Sequence, residues 1–566
     1  MVNRWIIRPE ADPDEIKVLA AELGVDRIVA SLLIQRDVRT FDGARDFFRP
    51  ALTQLHDPFL MQDMYSAVDR IEEALAKGER ILVYGDYDVD GTTSVALMAT
   101  YLRTRTGQVA TYIPDRYKEG YGLSITGIDF ARDNDISLII ALDCGVKAID
   151  QATYARSKGI DLIICDHHRP GETLPEVVAV LDPKRKDCSY PYKELCGCGV
   201  GFKLIQALES HRGQSVTHLL PYLDLVATAI GADIVPITGE NRVLVYFGLE
   251  VLNSNPRPGL WALMQNVNRE TFQISDVVFQ LAPRINAAGR MEHGDEAVAL
   301  LSSSDRNQAL QLASKIEFLN AERRETDQQI TEEALALIRE SHEEECTTTV
   351  VYNENWHKGV IGIVASRLIE TYYRPTVVFT KSGDYLTASA RSVRGFDLYE
   401  ALEACSDCLL QFGGHTYAAG LTLEPSRYEE FKLKFEGYVS STISKDLLVP
   451  EIRMDLPVHL SEITPKLLRI LKQFGPFGPG NQAPVFLSGP VHDSGNARTV
   501  GETGDHLKLT VIQDGVGPLD AIGFGLGEHL KLIQSKTPVQ VAYSLEENTW
   551  QGKTKIQLKI RDLKPS

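Results

Sequence analysis

The stretch of residues 81–94, ILVYGDYDVDGTTS, constrains the fold more than any other part of the chain. Its apolar start is typical of a buried strand, which ends at a glycine. Asp86, Asp88 and Asp90 then occupy alternate positions, so in an extended chain the three carboxylates point to one side. Divalent cations bound through oxygen relieve the repulsion between crowded carboxylates. The stretch therefore predicts a strand, a metal-binding acidic loop and a helix, and the alternative is a solvated acidic turn.

Length and composition limit the possible classes of protein. At 566 residues the chain is too long for one hydrophobic core, and typical domain sizes predict roughly three or four domains. Acidic residues and Pro occur near the N-terminus, where a secretory signal would have its apolar segment. No apolar run approaches the roughly 18 residues that a membrane helix needs. We therefore expect a cytoplasmic protein without membrane association. The cysteines are expected to be reduced thiols, and the alternative is a zinc site built from Cys196, Cys198, Cys405 and Cys408.

The net charge of −18 at first argues against a polyanionic partner. The charge is unevenly distributed, however, because from Glu451 onward 13 Lys and Arg residues stand against 12 Asp and Glu residues. Part of the acidity of the remaining chain belongs to the predicted metal site, where bound cations would neutralise it. The composition therefore does not exclude a nucleic-acid partner.

Residues 61–236 alternate between strand-like and helix-like segments. Five short apolar runs, separated by helix-length segments, favour a parallel sheet with crossover helices; they are residues 80–84, 109–113, 137–142, 161–164 and 177–181. Asp143 follows the third run, and residues 166–168, Asp-His-His, follow the fourth. Asp224 lies among apolar helical residues, where a lone acid needs a partner such as a metal. Neighbouring strand ends would thus bring carboxylates and imidazoles together. The alternatives are a helix N-cap role for Asp143 and an ordinary core or surface role for each histidine.

The rest of the chain shows three further patterns. Residues 305–342 have helical periodicity without Gly or Pro and predict a long strut between two domains, with a coiled-coil dimer as the alternative. Residues 347–439 predict a second α/β unit, in which the glycines before His415 allow close approach of a ligand. From residue 451 onward, short strands with Gly-rich connections predict a small barrel, in which Tyr543 and Trp550 either stack on bases or belong to the core.

Together these motifs resemble the DHH phosphoesterase superfamily. Its first motif is matched by Asp88 and Asp90, and its second, third and fourth motifs are matched by Asp143, by Asp166-His167-His168 and by Asp224. Three further segments resemble the single-strand-specific exonucleases of that superfamily: LAPRINAAGRM (281–291), HKGVIGIVASRL (357–368) and FGGHTYAAGL (412–421). The wider superfamily often has a metal-binding His at the position of Tyr84, and we expect Asp86 to take its place. The resemblance covers nearly the whole chain.

The resemblance implies a site with two divalent cations, and the mixture of oxygen and nitrogen ligands favours Mn²⁺ over Mg²⁺. One ion would be held by Asp90, Asp143, His167 and Asp224, and the other by Asp86, Asp88 and Asp143. His168 would face the scissile phosphate. Asp166 would orient the imidazoles from outside the ligand set, with a role as a metal ligand as the alternative. The expected catalytic residues are therefore Asp88, Asp90, Asp143, His167, His168 and Asp224. The expected substrate-binding residues are Arg284, Asn286, Arg290, His357, Lys358, Ser389, Arg391, Gly413, Gly414 and His415.

The expected architecture is an α/β chain with a parallel-sheet DHH domain, a long helix, a second α/β domain and a C-terminal β-barrel of the OB-fold type. The boundaries are residues 1–50 for an N-terminal helical segment, 51–304 for the DHH domain, 305–345 for the long helix, 346–446 for the DHH-associated domain and 447–566 for the barrel.

The implied function is metal-dependent hydrolysis of single-stranded DNA from the 5′ end to nucleotides, in DNA repair and recombination. One alternative is an oligoribonuclease or cyclic-dinucleotide phosphodiesterase, which the tail beyond residue 451 disfavours because those relatives are generally shorter and lack a barrel. The other is an inactive DNA-binding scaffold, which the presence of a residue at every motif disfavours. We expect a monomer that binds single-stranded DNA, with single-strand-binding protein and a helicase as candidate protein partners.

Overall fold

The structure is a computed structural model that describes residues 3–550 and 552–566, without the side chain of Trp550. It divides into two compact units. The smaller unit comprises Ala321–Met454 with the N-terminal residues through Arg8, and the larger unit comprises Pro9–Asn320 and Asp455–Ser566. No helix in the described part of the chain is long and apolar enough to cross a membrane.

The N-terminal segment contains one strand and three short helices, β1 (Arg4–Ile7), α1 (Pro13–Leu23), α2 (Arg27–Ile34) and α3 (Phe41–Phe48). Side chains of Asp12, Asp26 and Thr40 accept hydrogen bonds from the first turns of the helices, so each helix begins at a capping residue. The apolar faces of the helices pack in one core with the C-terminal strands described below. The N-terminal helices are therefore part of the larger unit.

A five-stranded sheet organises the larger unit. Its elements are α4 (Met64–Lys77), β2 (Arg80–Gly85), α5 (Val89–Arg103), β3 (Val109–Tyr112), α6 (Ile125–Asp133), β4 (Ile136–Leu142), α7 (Ile149–Ser157), β5 (Asp161–Cys165) and β6 (Ala179–Leu181). The strand order is β3-β2-β4-β5-β6 and every neighbouring pair is parallel, which confirms the predicted sheet. Gly85 is in register with Leu142, and Leu142 with Cys165, so β2, β4 and β5 end side by side. Whatever follows these three strands meets at one edge of the sheet.

Helices fill the remainder of this part of the chain and lead into the long helix. They are α8 (Gly197–His211), α9 (Leu223–Ala232), α10 (Gly239–Ser254), α11 (Pro258–Met264), α12 (Ile274–Asp276), α13 (Ala282–Met291), α14 (Asp295–Ser302) and α15 (Arg306–Glu340). Helix α15 has 35 residues and therefore spans about 52 Å. Its buried residues Ala309, Ala313 and Ile316 belong to the core of the larger unit, and the helix continues into the smaller unit from Ala321. The prediction of one long helix joining two units is confirmed.

The smaller unit is built around a second five-stranded sheet. Its elements after α15 are β7 (Thr349–Tyr352), α16 (Ile361–Thr371), β8 (Thr376–Ser382), β9 (Tyr385–Arg391), α17 (Leu398–Glu403), β10 (Gln411–His415), β11 (Ala418–Leu423), α18 (Tyr428–Thr442) and β12 (Glu451–Met454). The strand order is β10-β11-β9-β8-β7, with β7 and β8 parallel and the other pairs antiparallel. Strand β12 pairs in parallel with β1. The predicted second α/β domain is therefore confirmed.

The C-terminal elements form the predicted barrel. They are β13 (Leu456–Pro457), α19 (Pro465–Gln473), β14 (Phe486–Leu487), β15 (His492–Asp493), β16 (Arg498–Val500), β17 (His506–Gln513), β18 (Val516–Gly523), α20 (Leu530–Gln534), β19 (Val539–Trp550) and β20 (Lys553–Pro565). The path β15-β17-β18-β20-β19 is closed by a bridge between Val491 and Val539. Tyr543 is fully buried in this core, so of its two expected roles the core role is confirmed and stacking on bases is not. The side chain of Trp550 lies outside the described residues.

Candidate metal centre

The ends of β2, β4 and β5 place most of the predicted site residues at one edge of the sheet. Asp86 and Asp88 follow β2, Asp143 follows β4, and residues 166–168 follow β5. The predicted extended alternation of the first three acids ends early, because Asp88 is the N-cap of α5 and its Oδ1 accepts a hydrogen bond from Gly91 N at 3.0 Å. Asp90 is therefore positioned by the first turn of a helix.

Helix α8 holds the carboxylate of Asp90 with its first backbone amides. Gly197 N donates to Oδ2 at 2.6 Å and Cys198 N donates to Oδ1 at 2.8 Å. Burial, together with the neighbouring Asp88, raises the pKa of Asp90 to about 6. A Cβ on Gly197 would lie only 2.5 Å from the Cβ of Asp143, so this close approach of α8 to β4 requires glycine.

His167 lies at the centre of the acids. Its Nε2 is 3.2 Å from Asp143 Oδ1 and 3.7 Å from both Asp90 Oδ2 and Asp233 Oδ2. Burial and the charge of His168 lower the pKa of His167 to about 3, so its imidazole is neutral near pH 7 and offers a lone pair. His167 belongs to two groups whose ligand atoms lie within 4.8 Å of one another, Asp90-His167-Asp233 and Asp143-His167-His168.

The chemistry of this cluster fits a divalent cation. Burial and the neighbouring acids raise the pKa values of Asp86, Asp143 and Asp233 well above their ordinary range. Asp86 Oδ2 and Asp143 Oδ1 are buried without a hydrogen-bond partner among the described residues. Buried carboxylate oxygens of this kind are costly unless a cation satisfies them. Oxygen donors with one neutral imidazole are a donor set that Mn²⁺ and Mg²⁺ accept.

Asp166 contacts both histidines but bonds only one imidazole. Its Oδ1 accepts from the backbone N of His167 at 2.7 Å and lies 2.7 Å from His168 Nδ1, and its Oδ2 accepts from Val146 N at 2.9 Å. Burial alone would raise the pKa of Asp166, but the hydrogen bond and charge of His168 lower it below its ordinary range. Burial lowers the pKa of His168, but the hydrogen bond and the charge of Asp166 together raise it by more, to about 9. The pair fixes the His168 ring and leaves Nε2 facing Tyr121 OH at 3.1 Å.

Tyr84 lies where a histidine ligand often stands in the wider superfamily. It is fully buried, and its hydroxyl donates to Gly122 O at 2.8 Å. Asp86, two residues on, lies against the site instead, and Gly122 N donates to its Oδ1 at 3.3 Å. Tyr84 therefore supports the polypeptide around the centre, and Asp86 supplies a carboxylate.

Four of the expected substrate-binding residues of the smaller unit share one face of its sheet. Across the neighbouring strands β9, β11 and β10, Ser389 lies in line with Gly420 and Gly413. In the same way Arg391 lies in line with Ala418 and His415. Because cross-strand partners share a face, Ser389, Arg391 and His415 point to the same side. A Cβ on Gly362, in the first turn of α16, would lie 2.9 Å from Ser389 Oγ and 3.0 Å from Arg391 Nη2. The helix N-terminus, the hydroxyl and the guanidinium thus converge.

The other expected substrate-binding residues lie in more varied surroundings. A Cβ on Gly414 would lie 2.3 Å from Ala418 O, which explains why that strand position is glycine. Before α16, His357 Nδ1 accepts from Gly359 N at 3.1 Å, and Lys358 Nζ donates to Ser382 Oγ at 3.4 Å.

Arg284, Asn286 and Arg290 lie on α13 in the larger unit. Arg284 pairs with Glu317 and donates to Gln280 O at 2.6 Å. A Cβ on Gly289 of the same helix would lie 2.5 Å from Tyr87 O, so α13 packs against the acidic loop.

Comparison with known proteins agrees with this architecture. Family models match residues 80–230 (DHH family, N-terminal domain), 345–441 (DHHA1 domain) and 454–562 (RecJ OB domain). The chain is 38% identical over 569 residues to the single-stranded-DNA-specific exonuclease RecJ of Bacillus subtilis, which covers 99% of this chain and 70% of that protein. The chain belongs to the RecJ family. Family membership favours the first of the three expected functions.

Solved RecJ structures share the fold over the full length of the chain. The RecJ of Thermus thermophilus in complex with Mn²⁺ superposes with a TM-score of 0.86 at 28% identity, covering 100% of this chain and 80% of that one. The same protein in complex with Mg²⁺ gives a TM-score of 0.78 at 27% identity, with coverages of 100% and 79%. The RecJ arrangement of a DHH domain, a DHHA1 domain and an OB domain is therefore present here.

The expectation for Asp224 as a fourth ligand is contradicted by its position in this RecJ-family structure. Asp224 lies in the first turn of α9, where its Oδ1 accepts from Arg257 Nε and its Oδ2 from Arg257 N, each at 3.0 Å. The acid that helix α9 does bring to His167 is Asp233, the residue that caps its C-terminus.

Sequence reasoning missed Asp233, although a signal for it existed. The two acids are nine residues apart, which places them about 13 Å apart along one helix. An acid at a helix C-terminus is unfavourable beside the negative end of the helix dipole and calls for a nearby cation. Asp224, at the opposite end, is favourably placed without a metal.

Proposed function

We propose that this chain is a divalent-metal-dependent exonuclease that hydrolyses single-stranded DNA from the 5′ end to nucleotides. The observation that carries the proposal is the cluster of buried Asp90 and Asp143, half-buried Asp233 and neutral His167 at the sheet edge, in a chain of the RecJ family. The 5′ direction, a role in DNA repair and recombination, and the protein partners named above come from the resemblance to that family.

Two groups of residues are proposed to hold the cations, with Mn²⁺ favoured and Mg²⁺ also accepted. The first is Asp90, Asp143, His167 and Asp233, and the second is Asp86, Asp88 and Asp143. Bound divalent cations supply Lewis acidity, which activates water and neutralises charge on a phosphoryl group. Support for the first group comes from the distances of 3.2 to 3.7 Å between His167 Nε2 and the three carboxylates.

His168 is proposed to act on the scissile phosphate. Because Asp166 binds Nδ1 and keeps the ring protonated near neutral pH, Nε2 can donate its proton to a phosphate oxygen. This hydrogen bond would stabilise the negative charge that grows on the phosphoryl oxygens during attack by water.

The smaller unit is proposed to bind the sugar-phosphate chain of the substrate. Arg391 offers a planar fork suited to phosphate oxygens, and its Nη1 also donates to Ser389 Oγ at 3.1 Å, so the two side chains are positioned together. Strand β10 adds His415 on the same face, beside two glycines that leave the backbone accessible.

The barrel is proposed to bind the single strand through a row of cationic side chains that ends in an aromatic ring. Arg498, Lys508, Ile522 and Lys559 are register partners across the neighbouring strands β16, β17, β18 and β20. The three cationic side chains of this row therefore share one face of the sheet. Phe524 is 52% exposed, and the Nζ of Lys559 lies 5.6 Å from its ring centroid. A basic face with an exposed aromatic ring suits phosphates and stacked bases.

Digestion of matched 5′- and 3′-labelled oligonucleotides tests the proposal. Single-stranded and duplex forms are incubated with Mn²⁺, Mg²⁺ or a chelator, and the release of labelled nucleotides is followed in time. We expect metal-dependent release of the 5′ label from the single strand and little release from the duplex. Hydrolysis in chelator, or release of the 3′ label first, would contradict the proposal.

A matched pair of variants links the reaction to the cluster. Asp143→Ala is expected to abolish hydrolysis while most strand binding remains, because it removes a carboxylate shared by both proposed ion sites. Asp161→Ala is the control, since Asp161 begins β5 at the opposite edge of the same sheet and pairs with Arg70. Normal turnover by Asp143→Ala would remove the cluster from the mechanism.

A further inference from the structure

The loop of residues 115–124, between β3 and α6, lies directly against the metal centre. Tyr121 OH is 3.1 Å from His168 Nε2 and donates to Asp143 O at 3.2 Å. The next residue, Gly122, donates its backbone N–H to Asp86 Oδ1 at 3.3 Å. Two consecutive loop residues thus contact the histidine proposed to act on phosphate and two of the proposed metal ligands.

One carboxylate, that of Glu119, joins the two ends of this loop. Its Oε1 accepts from Asp115 N at 2.8 Å. Its Oε2 accepts from Tyr112 OH at 3.0 Å and from Ser124 Oγ at 2.5 Å. Glu119 therefore fixes the end of β3, the first residue of the loop and the residue that caps α6 to one another.

The backbone beyond Glu119 does not fix the loop by itself. Gly120 and Gly122 flank Tyr121 and have φ angles of +85° and +86°. Glycine reaches this region freely but also reaches many others, so a segment of this composition needs external contacts to hold one conformation. On one side of Tyr121 the loop is held by the contacts of Glu119 and by Gly120 N, which donates to Asp115 O at 3.2 Å. On the other side it is held by the bond from Tyr84 OH to Gly122 O, and the Tyr121 ring also packs edge-on against Tyr87.

We propose that Glu119 is a positioning residue for the hydrolysis, which holds the loop so that Tyr121 and Gly122 keep His168 and Asp86 in their working positions. Glu119 itself contacts neither of those two residues in the hydrogen bonds described above, and it acts through the loop. The inference rests on the proposed function, because its effect is measured on hydrolysis of a single strand. A general role in folding is the competing explanation, and the variants below separate the two.

The central experiment compares Glu119→Ala with Glu119→Gln in steady-state hydrolysis of a labelled single strand with Mn²⁺. Displacing a catalytic group by about 1 Å can cost on the order of 100-fold in rate, so we expect Glu119→Ala to lower kcat by between about tenfold and 100-fold. KM should change little, and at least one Mn²⁺ should still bind, because the side chains of Asp90, Asp143, His167 and Asp233 make none of the hydrogen bonds to the loop described above, whereas the second group, which includes Asp86, should be weakened. Glu119→Gln should recover most of kcat, since its amide can still bond Asp115 N and the hydroxyl groups.

Glu72→Ala is the matched control. Glu72 joins α4 to the chain after α5 through two hydrogen bonds from Arg105, at 2.7 and 2.9 Å, so its loss removes comparable contacts from the same domain. We expect Glu72→Ala to lower the thermal midpoint without lowering kcat. Unchanged kcat in Glu119→Ala, an equal loss of kcat in Glu72→Ala, a complete loss of Mn²⁺ binding in Glu119→Ala or no recovery in Glu119→Gln would each overturn the inference.

A double-mutant cycle tests the route through Tyr121. If Glu119 acts through the Tyr121 hydroxyl, Glu119→Ala should cost much less in a Tyr121→Phe background than in the parent chain. Additive losses would contradict that route. Turnover by the parent chain separates the two proposals. If the parent chain does not hydrolyse the single strand, the proposed function is wrong. If the parent chain and Glu119→Ala both hydrolyse it at the normal rate, only the inference about Glu119 is wrong.

Discussion

Two acids on helix α9 have opposite surroundings. Both oxygens of Asp224 accept hydrogen bonds from Arg257, which balances its charge, and Asp224 is fully buried. Asp233 lies 3.7 Å from His167 Nε2, and burial together with Asp90 raises its pKa well above the ordinary range. Asp224 is therefore a structural partner of Arg257, and Asp233 is the acid suited to a metal.

Substituting each acid by asparagine separates these roles. We expect Asp233→Asn to weaken Mn²⁺ binding and abolish hydrolysis with little loss of stability. Asp224→Asn should leave a buried Arg257 without its counter-charge and lower the free energy of unfolding by about 3 kcal/mol, yet retain Mn²⁺ binding. Titration with Mn²⁺ and denaturant unfolding of both variants measure the two effects. Loss of Mn²⁺ binding in Asp224→Asn but not in Asp233→Asn would instead identify Asp224 as the ligand.

The residues that sequence alone could identify are those whose roles depend on local position. Asp86, Asp143 and His167 directly follow apolar runs, and the carboxyl ends of parallel strands meet at one edge, so their convergence was predictable. The choice between Asp224 and Asp233 depends on Arg257, which follows Asp224 by 33 residues and reaches it only in the folded chain. No local pattern contains that contact.

At the scale of elements, the start of helix α8 joins two parts of the candidate site. Its amides bind Asp90, and the missing side chain of Gly197 makes room for Asp143. The sequence predicted the alternation of strands and helices. It did not predict that the start of α8 contacts Asp143 after β4, because that contact depends on how the elements pack together. The alternation of Val539, Val541 and Tyr543 along β19, in contrast, already indicated an inward face for Tyr543.

Gly197→Ala is expected to damage the site more than the fold. The added Cβ would lie 2.5 Å from Asp143 Cβ and 2.7 Å from its Oδ1, so Asp143 or the helix must shift. A shift of this size predicts a loss in kcat on the order of 100-fold. Gly201→Ala, one turn farther along α8, is the control, because its added Cβ would meet only the end of the Leu142 side chain, at 3.1 Å. Equal activity of the two variants would contradict the role assigned to Gly197.

At the scale of the whole molecule, Arg242 joins parts of the larger unit that are distant in sequence. It lies on α10, where its guanidinium donates to Phe474 O and Gly475 O, each at 2.9 Å, and to Phe47 O at 3.1 Å. The guanidinium carbon is 3.9 Å from the centroid of the Phe47 ring, and burial lowers the pKa of Arg242 to about 10. Arg242 thus helps to attach the helices around the parallel sheet to the N-terminal helices and the barrel.

Replacing this cation should weaken the attachment. Lysine has the charge but not the planar fork, so Arg242→Lys leaves buried carbonyls without donors and is expected to lower the free energy of unfolding by about 3 kcal/mol. We expect calorimetry to show an earlier transition for the barrel and the N-terminal helices. Arg269→Lys is the control, since Arg269 is 59% exposed and pairs with Asp276 at 3.0 Å. A single unshifted transition in Arg242→Lys would contradict this account.

The stability of the whole chain should depend on pH and metal together. In the metal-free protein, burial raises the pKa of Asp90 from 3.8 to about 6, and the pKa values of Asp86, Asp143 and Asp233 are also raised. A carboxyl group whose pKa is raised in the folded state stabilises that state while protonated, and this contribution is lost as the pH rises through the folded pKa. The contribution of Asp90 to metal-free stability should therefore be lost as the pH rises from about 4 to about 6, and those of the other three acids as the pH rises further. His167, whose pKa is lowered to about 3, acts in the opposite direction up to about pH 6.5. The raised pKa of His168, about 9, acts in the same direction as the raised pKa values of the acids from about pH 6.5 upward.

Metal binding should offset this loss, because divalent cations bind the deprotonated carboxylates and release protons. The increase in Tm caused by Mn²⁺ is therefore expected to be larger at about pH 7.5 than at about pH 5.5, where Asp90 is largely protonated. Thermal unfolding with Mn²⁺ or chelator at both pH values measures the difference. Asp143→Asn removes one of the titrating carboxyl groups, so it should raise metal-free stability near neutral pH while shrinking the Mn²⁺ effect. An Mn²⁺ effect of equal size at both pH values would mean that these carboxylates do not bind the ion, since protons and metal would then not compete for the same oxygens.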